Sequence, residues 1–379
     1  MNVLVDGLIF ELQAKGGISR IFHETLARMC SLDPRLMIQI LLSEKVSPLL
    51  IHERIEYCQI TKAFRLLRSQ RLWKPLVPMA GIIADGLLKA KGISDTKNKI
   101  WHSTYYTLPH SWRGPVAVTA ADMIHELFPG LFKGHMNEQF CRRKRLCMER
   151  ADAVICISET TRQDVIKLCN VKKELTFVVP LAGSEIFKPL NSEVISAELK
   201  TKKPFLLYIG SRVHYKNFDT FIKTYARWSL RNDIDLLLVG PALSEDEKMQ
   251  HKKMGILDKV ELLSGIDDAK LCQIYNRAVA LVYPSLYEGF GIPLLEAMAC
   301  GCPIVASSIP SNIEIAGDIP IFFSPNDEDE LIRSLGKAVS ESRKSSRIQD
   351  GFDRAKLFSW DMTAQKTLDI YKKLLHSKS

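Results

Sequence analysis

No apolar run in the 379 residues approaches the ~20 needed to span a bilayer as a helix. The opening stretch, Met1-Asn2-Val3-Leu4-Val5-Asp6-Gly7, lacks the basic start and apolar centre of a secretory signal and reads instead as a first strand carrying an acid. The nine cysteines include no Cys-x2-Cys pair, and their odd number argues against a disulfide framework. Cys300-Gly301-Cys302 at a helix end reads as packing, not as a metal site, so no metal is expected. The Gly-x4-Gly-Lys-Ser/Thr spacing of a P-loop is missing, as are short internal repeats and low-complexity tracts. Basic charge is plentiful, but no nucleic-acid motif accompanies it, so no nucleic-acid partner is expected. These absences point to a reducing, cytoplasmic compartment.

What the chain does have is length and alternation. At 379 residues, with 46% hydrophobic and 25% charged residues, it suits two globular domains. Strand candidates run Val3–Asp6, Met37–Leu42, Val116–Ala120, Ala153–Ile157 and Phe177–Leu181. A second series follows at Phe205–Ile209, Asp235–Val239, Val260–Leu263, Val279–Tyr283, Pro303–Ala306 and Ile319–Phe322. Helical stretches such as Ile18–Met29, Thr160–Leu168, Phe218–Trp228 and Asp268–Asn276 separate them. Alternation of this kind predicts an α/β protein with two Rossmann-like, doubly wound parallel sheets, joined through the polar stretch Ser184–Lys203. Ser158 is expected to cap the helix that starts with Glu159-Thr160-Thr161, and Asn217 the helix after it in the second series.

The most informative segment is Glu288-Gly289-Phe290-Gly291-Ile292-Pro293-Leu294-Leu295-Glu296. It follows an apolar strand, and its proline and Gly301 suit the start and the end of a short helix. Backbone N–H groups at such a helix start favour an anionic ligand in the crevice of an open sheet, and two carboxylates beside a phosphate site suit ribose and sugar hydroxyls. The block resembles the E-x7-E motif of retaining glycosyltransferases of the GT-B fold, in the GT4 family, also called glycosyl transferases group 1. The segment Gly210-Ser211-Arg212-Val213-His214-Tyr215-Lys216 resembles that family's Gly-x-Arg…Lys segment. The resemblance covers nearly the whole chain, with its specific motifs between residues 205 and 315.

The resemblance implies two domains facing a central cleft: residues 1–185, joined by a returning C-terminal helix 361–379, and residues 203–358. It implies a donor site made by Gly17, Arg212, Lys216, Glu288, Gly289, Phe290, Gly291, Ile292 and Glu296. Arg212 and Lys216 would neutralise a diphosphate, Glu288 and the following amides would hold sugar and phosphate, and Glu296 the ribose. The departing diphosphate then needs no metal and no cofactor; the substrate is a GDP- or UDP-sugar. Many relatives carry His-Asp after the third strand of the first series, where this chain has Ala121-Asp122. The catalytic candidates are therefore Asp122, His102 and Glu288, the last as a hydroxyl-binding group and not a nucleophile. His102 and Asp122 each have a plain alternative, as a satisfied structural imidazole and as a helix cap.

Charge is lopsided: residues 1–180 hold 26 Lys and Arg against 17 Asp and Glu, while the rest of the chain is balanced. The densest part, Lys62 to Lys74, interleaves five basic residues with Phe64, Leu66, Leu67, Leu72 and Trp73 and contains no acid. An amphipathic basic helix of this kind fits an anionic membrane surface, or else is a solvated face over its own domain. Arg142-Arg143-Lys144-Arg145 could extend the same face. The expected function is retaining transfer of a hexose, mannose-type or other, to a saccharide acceptor. A lipid-linked acceptor at the inner face of the plasma membrane, in surface polysaccharide or O-antigen assembly, is the specific expectation. A nucleotide-sugar epimerase or hydrolase, and an inactive saccharide-binding scaffold, are the alternatives.

Overall fold

A computed structural model describes residues 1–13, 16–43, 50–59, 98–108, 112–132, 134–191 and 198–376. The Lys62 to Lys74 segment lies outside the described residues. The chain divides into two compact units, residues 1–181 with 360–379, and residues 182–359.

Among the described residues the first unit is built on seven parallel strands: β1 (Asn2–Val5), β2 (Met37–Leu42), β3 (Ile55–Gln59), β4 (Lys99–Ser103), β5 (Val116–Ala120), β6 (Ala153–Cys156) and β7 (Thr176–Val178). Their order across the sheet is β3-β2-β1-β4-β5-β6-β7, so the winding reverses between β1 and β4. Val3 of β1 lies opposite Ile38 of β2 on one side and Ile100 of β4 on the other. All five residues of β5 are buried, as expected for a central strand covered on both faces. Among the described residues its helices are α1 (Leu8–Leu12), α2 (Gly17–Leu32), α3 (Ile124–Leu127), α4 (His135–Glu149) and α5 (Glu159–Cys169). Ser158 caps α5 by accepting from the Thr161 N–H at 3.0 Å. One core cluster gathers Leu4, Trp101, Val118, Met148 and Val154, each at most 1% exposed; burying a side chain of this size stabilises by ~1.5–3 kcal/mol.

The second unit has six parallel strands, β8 (Phe205–Ile209), β9 (Asp235–Val239), β10 (Val260–Leu263), β11 (Ala280–Tyr283), β12 (Ile304–Ser307) and β13 (Ile321–Phe323). Their order is β10-β9-β8-β11-β12-β13, with the reversal between β8 and β11. The helices are α6 (Phe218–Arg227), α7 (Glu245–Lys253), α8 (Asp268–Arg277), α9 (Ile292–Ala299), α10 (Pro310–Ala316), α11 (Glu328–Val339) and α12 (Ser346–Lys356). Helix α9 ends in a Schellman turn: the Cys302 N–H reaches the Ala297 carbonyl at 2.9 Å and the Gly301 N–H that of Met298 at 3.1 Å. Gly301 takes φ +63°, and a Cβ there would sit 2.8 Å from the Phe352 ring, so glycine is required.

The last helix, α13 (Trp360–His376), belongs to the first unit. Its Thr363 hydroxyl donates to the Pro180 carbonyl at 2.7 Å, and Lys372 lies 3.7 Å from Asp33. The two strand series appear in the expected order, and the structure adds β3 and β4 to the first. Both escaped the sequence pattern because each mixes polar residues into five positions, Ile-Glu-Tyr-Cys-Gln and Lys-Ile-Trp-His-Ser. Asn217 precedes α6 but does not cap it with its side chain. It sits at φ +55° and donates to the Pro325 carbonyl at 2.8 Å.

Candidate active site

In an open parallel sheet, the loops leaving neighbouring strands at a reversal of winding diverge and leave a crevice. In the second unit those loops follow β8 and β11. A backbone bond from the Leu286 N–H to the Tyr215 carbonyl, 2.7 Å, ties them together. That tie sets Lys216 of one loop against Glu288 of the other, with Nζ 2.6 Å from Oε1. The same Oε1 accepts from the Ser285 hydroxyl at 2.5 Å. Lys216 also lies over the rings of Tyr215 and Tyr283, 5.5 and 5.7 Å from their centroids. Burial, and then the Glu288 charge, push the Tyr283 hydroxyl well above its ordinary pKa, so it stays protonated beside the carboxylate.

Past Glu288 the loop turns into α9. Gly291 is the residue before the helix, at φ +112°, and a Cβ there would press on Leu294 at 3.1 Å. A left-handed residue at that point favours glycine and lets backbone approach a ligand closely. Phe290 is 3% exposed and packs edge-on against Phe358, centroids 5.9 Å apart, so its ring belongs to the core of the unit and only its backbone is available to a ligand. Ile292 and Pro293 open α9. Glu296 stands in its second turn, is 4% exposed, and accepts from the Tyr275 hydroxyl of α8 at 3.0 Å. The two carboxylates of the motif are therefore held differently, Glu288 by a cation and a serine, Glu296 by a tyrosine.

The structure revises the reading of Arg212 as a free phosphate ligand. Its side chain is 6% exposed and joins Glu247 through Nε at 2.5 Å and Nη2 at 3.2 Å. The remaining donors reach the Pro241 and Ala242 carbonyls at 2.9 and 2.8 Å. The guanidinium thus clamps the loop after β8 to the start of α7, and its hydrogen bonds hold the Glu247 carboxyl down at about 2. Lys216, by contrast, has Glu288 as its carboxylate partner and, among the described residues, no carbonyl clamp like that of Arg212.

In the first unit, Gly17 starts α2 and is exposed, with open space where a side chain would be. Asp122 follows β5 and accepts from the Ile124 N–H at 3.1 Å, turning the chain into α3. His102 has the surroundings expected of the alternative reading, a satisfied structural imidazole. It lies on β4, 2% exposed, with Nε2 2.8 Å from the Thr119 hydroxyl and Nδ1 bonded to the Tyr371 hydroxyl of α13. Burial pushes its pKa down to about 4, so it is neutral at physiological pH and both ring nitrogens are occupied. The four-residue basic run is also divided: Lys144 is 1% exposed and bonds Glu126 at 2.9 Å and the Asp122 carbonyl at 2.7 Å, while Arg142 and Arg145 face solvent. Among the described residues no helix is long and apolar enough to cross a membrane, and no group of three or more His, Cys, Asp or Glu is gathered to hold a metal.

Sequence reasoning missed Ser285 and Tyr275, which bond the two glutamates, and Ser307, whose hydroxyl donates to the Ser285 carbonyl. Ser285 and Ser307 stand at or just past the ends of β11 and β12, where side chains face a crevice, and that position was the available signal.

Residues 192–351 match the family described as Glycosyl transferases group 1. The chain is 28% identical over 295 residues to O-antigen chain mannosyltransferase B of Escherichia coli, covering 76% of this chain and 77% of that one. Among solved structures, sucrose-phosphate synthase of Thermosynechococcus elongatus superposes with a TM-score of 0.77 at 17% identity, covering 99% of both chains. Anabaena Alr3699/HepE, solved in complex with UDP, gives 0.73 at 18% identity over 98% of this chain and 99% of that one. The two-domain Rossmann-like GT-B fold is shared with these structures.

Proposed function

We propose that this chain, whose residues 192–351 belong to the glycosyl transferases group 1, moves a hexose from a nucleoside diphosphate sugar to a saccharide acceptor in surface polysaccharide or O-antigen assembly. The observation that carries the reading is the Lys216–Glu288 pair at the β8/β11 reversal, 2.6 Å apart and followed at once by the glycine-containing start of α9. A diphosphate entering that crevice offers Lys216 a denser negative charge than one carboxylate does, and the α9 N-terminus adds backbone donors. Glu288, released from Lys216, then accepts from hydroxyls of the sugar, and Glu296 from the ribose.

Transfer proceeds with retention. The anomeric bond breaks toward an oxocarbenium-like state, Lys216 and the loop amides stabilise the departing diphosphate, and its oxygen takes the acceptor proton on the same face. Arg212 reaches the diphosphate only by exchanging Glu247 for it. The acceptor is a lipid-linked saccharide met at an anionic membrane surface, which the basic Lys62 to Lys74 segment suits. The donor is GDP- or UDP-linked, mannose-type by analogy with the named mannosyltransferase.

The test is a panel of GDP- and UDP-hexoses with and without saccharide acceptor, read by release of nucleoside diphosphate and by the anomeric configuration of the product. Acceptor-dependent release with retention is expected, undiminished by EDTA. Release that ignores the acceptor would make the protein a hydrolase or epimerase, and loss in EDTA restored by Mg²⁺ or Mn²⁺ would replace Lys216 by a metal. Sedimentation with anionic vesicles at low salt tests the membrane surface.

A further inference from the structure

Behind Glu288 runs a line of buried polar groups that the transfer chemistry does not use. Asn312, in the first turn of α10 and 0% exposed, donates through Nδ2 to the Ser307 carbonyl at 3.0 Å and to the Ser307 hydroxyl at 3.2 Å. A carbonyl can only accept, so this contact fixes which end of the amide points where. The Ser307 hydroxyl, receiving one of those hydrogens, gives its own to the Ser285 carbonyl at 2.5 Å. The Ser285 hydroxyl gives its hydrogen to Glu288 at 2.5 Å. Ser285, Ser307 and Asn312 are each at most 1% exposed. The contacts run from α10 past the end of β12 to the backbone of Ser285, whose own hydroxyl holds the carboxylate, so Asn312 and Ser307 fix the loop that presents Ser285 to Glu288.

One atom is left over. The Asn312 Oδ1 is buried and has no hydrogen-bond partner among the described residues. It lies 3.7 Å from where a Cβ on Gly291 would be, so it faces the turn that leads from Glu288 into α9. Buried acceptors are rarely left unpaired, and one kept so beside a ligand-binding turn suggests that a donor reaches it in another state of that turn.

We propose that Asn312 is a positioning residue of the donor site. Through Ser307 and Ser285 it sets the Glu288 carboxylate, and its Oδ1 receives a backbone N–H of the Glu288–Gly291 turn once the hexose of the donor has engaged Glu288. Asn312 touches neither substrate nor diphosphate. It acts on the sugar-binding geometry alone, and this rests on the donor reading given above.

The experiment measures binding of GDP, UDP and the matching nucleotide hexoses, with turnover, for the wild type, Asn312→Leu and Ser307→Ala. Asn312→Leu should bind the bare nucleoside diphosphate within about twofold of the wild type, yet lose about tenfold in affinity or turnover with the nucleotide hexose. Ser307→Ala, which removes a hydroxyl and changes almost no volume, should show a smaller loss in the same direction even if Asn312→Leu fails to fold. Equal losses for nucleoside diphosphate and nucleotide hexose would overturn the proposal. So would a lowered melting temperature with unchanged nucleotide-hexose parameters, or a silent Ser307→Ala. A wild type that binds none of the four nucleotides would overturn the donor reading itself, which separates the two failures.

Discussion

The two sheets reverse their winding in the same way, between β1 and β4 in one unit and between β8 and β11 in the other, and each buries an acid there. Asp6, 0% exposed, accepts from the hydroxyls of Ser103 (3.0 Å), Thr104 and Thr107 and from the Leu8 N–H (3.2 Å). Glu288, 7% exposed, accepts from Lys216 and Ser285. Hydroxyls are local and directional and have little reason to leave a carboxylate for a ligand. A lysine on a flexible stem transfers readily to a denser charge. One carboxylate is thus held by hydroxyls and an N–H, and the other partly by a lysine, the bond that the proposed donor would take over.

Removing Asp6 breaks the comparison hardest. Asp6→Ala strands three hydroxyls and an N–H in the interior, and a loss of about 3–4 kcal/mol in unfolding free energy is expected. Glu288→Gln keeps an acceptor for the Ser285 hydroxyl and leaves Lys216, whose side chain is 17% exposed, facing an amide oxygen in place of the charge, so a smaller loss of about 1–2 kcal/mol is expected. Urea unfolding of the two variants side by side decides it: similar losses would mean that Glu288 is as architectural as Asp6.

Acid sharpens the same contrast. His102 has its folded pKa pushed down to about 4 by burial, below the 6.5 of an ordinary imidazole. Between those values the unfolded chain binds a proton that the folded chain refuses. Its contribution is therefore complete above pH 6.5 and lost as pH falls toward 4, about 3 kcal/mol in all. In the second unit the Glu247 carboxyl, held at about 2 by hydrogen bonds from Arg212, keeps its contribution until pH falls below 4.5 toward 2. His251 of the second unit is also lowered by burial, but only His102 is pushed as far as about 4, so hydrogen exchange followed from pH 7 to 4.5 should show the first unit loosening more than the second. His102→Gln should flatten that slope, and a slope unchanged in His102→Gln would place the acid sensitivity elsewhere.

How much of this was legible in the sequence follows from the range of the signals. Continuous apolar runs such as Ala-Leu-Val-Tyr in β11 announce central strands, and Pro293 and Gly301 announce the ends of α9. The nearness of Lys216 and Glu288, seventy-two positions apart, follows from strand order, because β8 and β11 are neighbours only through the reversal. What the sequence could not show was which charges are already answered. Arg212 and Lys216 look alike as cations after a strand, but Glu247 lies in a separate helix and meets only Arg212. His102 looked like an available imidazole because its partners, Thr119 and Tyr371, come from β5 and α13.

If Glu288 is the exchangeable acid, its replacement must act on ligand binding more than on the fold. Glu288→Gln is expected to weaken nucleotide-hexose binding by about 1.5–3 kcal/mol, the value of a hydrogen bond to a charged group, while leaving the bare nucleoside diphosphate nearly unaffected. Lys216→Ala should do the reverse, weakening the diphosphate more than the nucleoside. Calorimetry with nucleoside, nucleoside diphosphate and nucleotide hexose separates the two. Parallel losses in both variants would mean that the ion pair is a strut and that the ligand sits elsewhere.

The smallest expected effect concerns the acid that falls between the two types. Glu296 is held like Asp6, by a hydroxyl, yet stands on the helix that opens the candidate site. Tyr275, itself 0% exposed, donates to Oε2 at 3.0 Å, and burial raises its hydroxyl well above the ordinary value, so it is a donor at every working pH. Tyr275→Phe removes one neutral donor to a carboxylate without opening a cavity. If Glu296 receives the ribose, losing that orientation should weaken nucleoside binding by about 1 kcal/mol and leave the melting temperature within a few degrees of the wild type. A melting temperature that falls while nucleoside affinity holds would make Glu296 a second Asp6, an acid satisfied by its own hydroxyls. Only Glu288 would then remain as the exchangeable carboxylate of the motif.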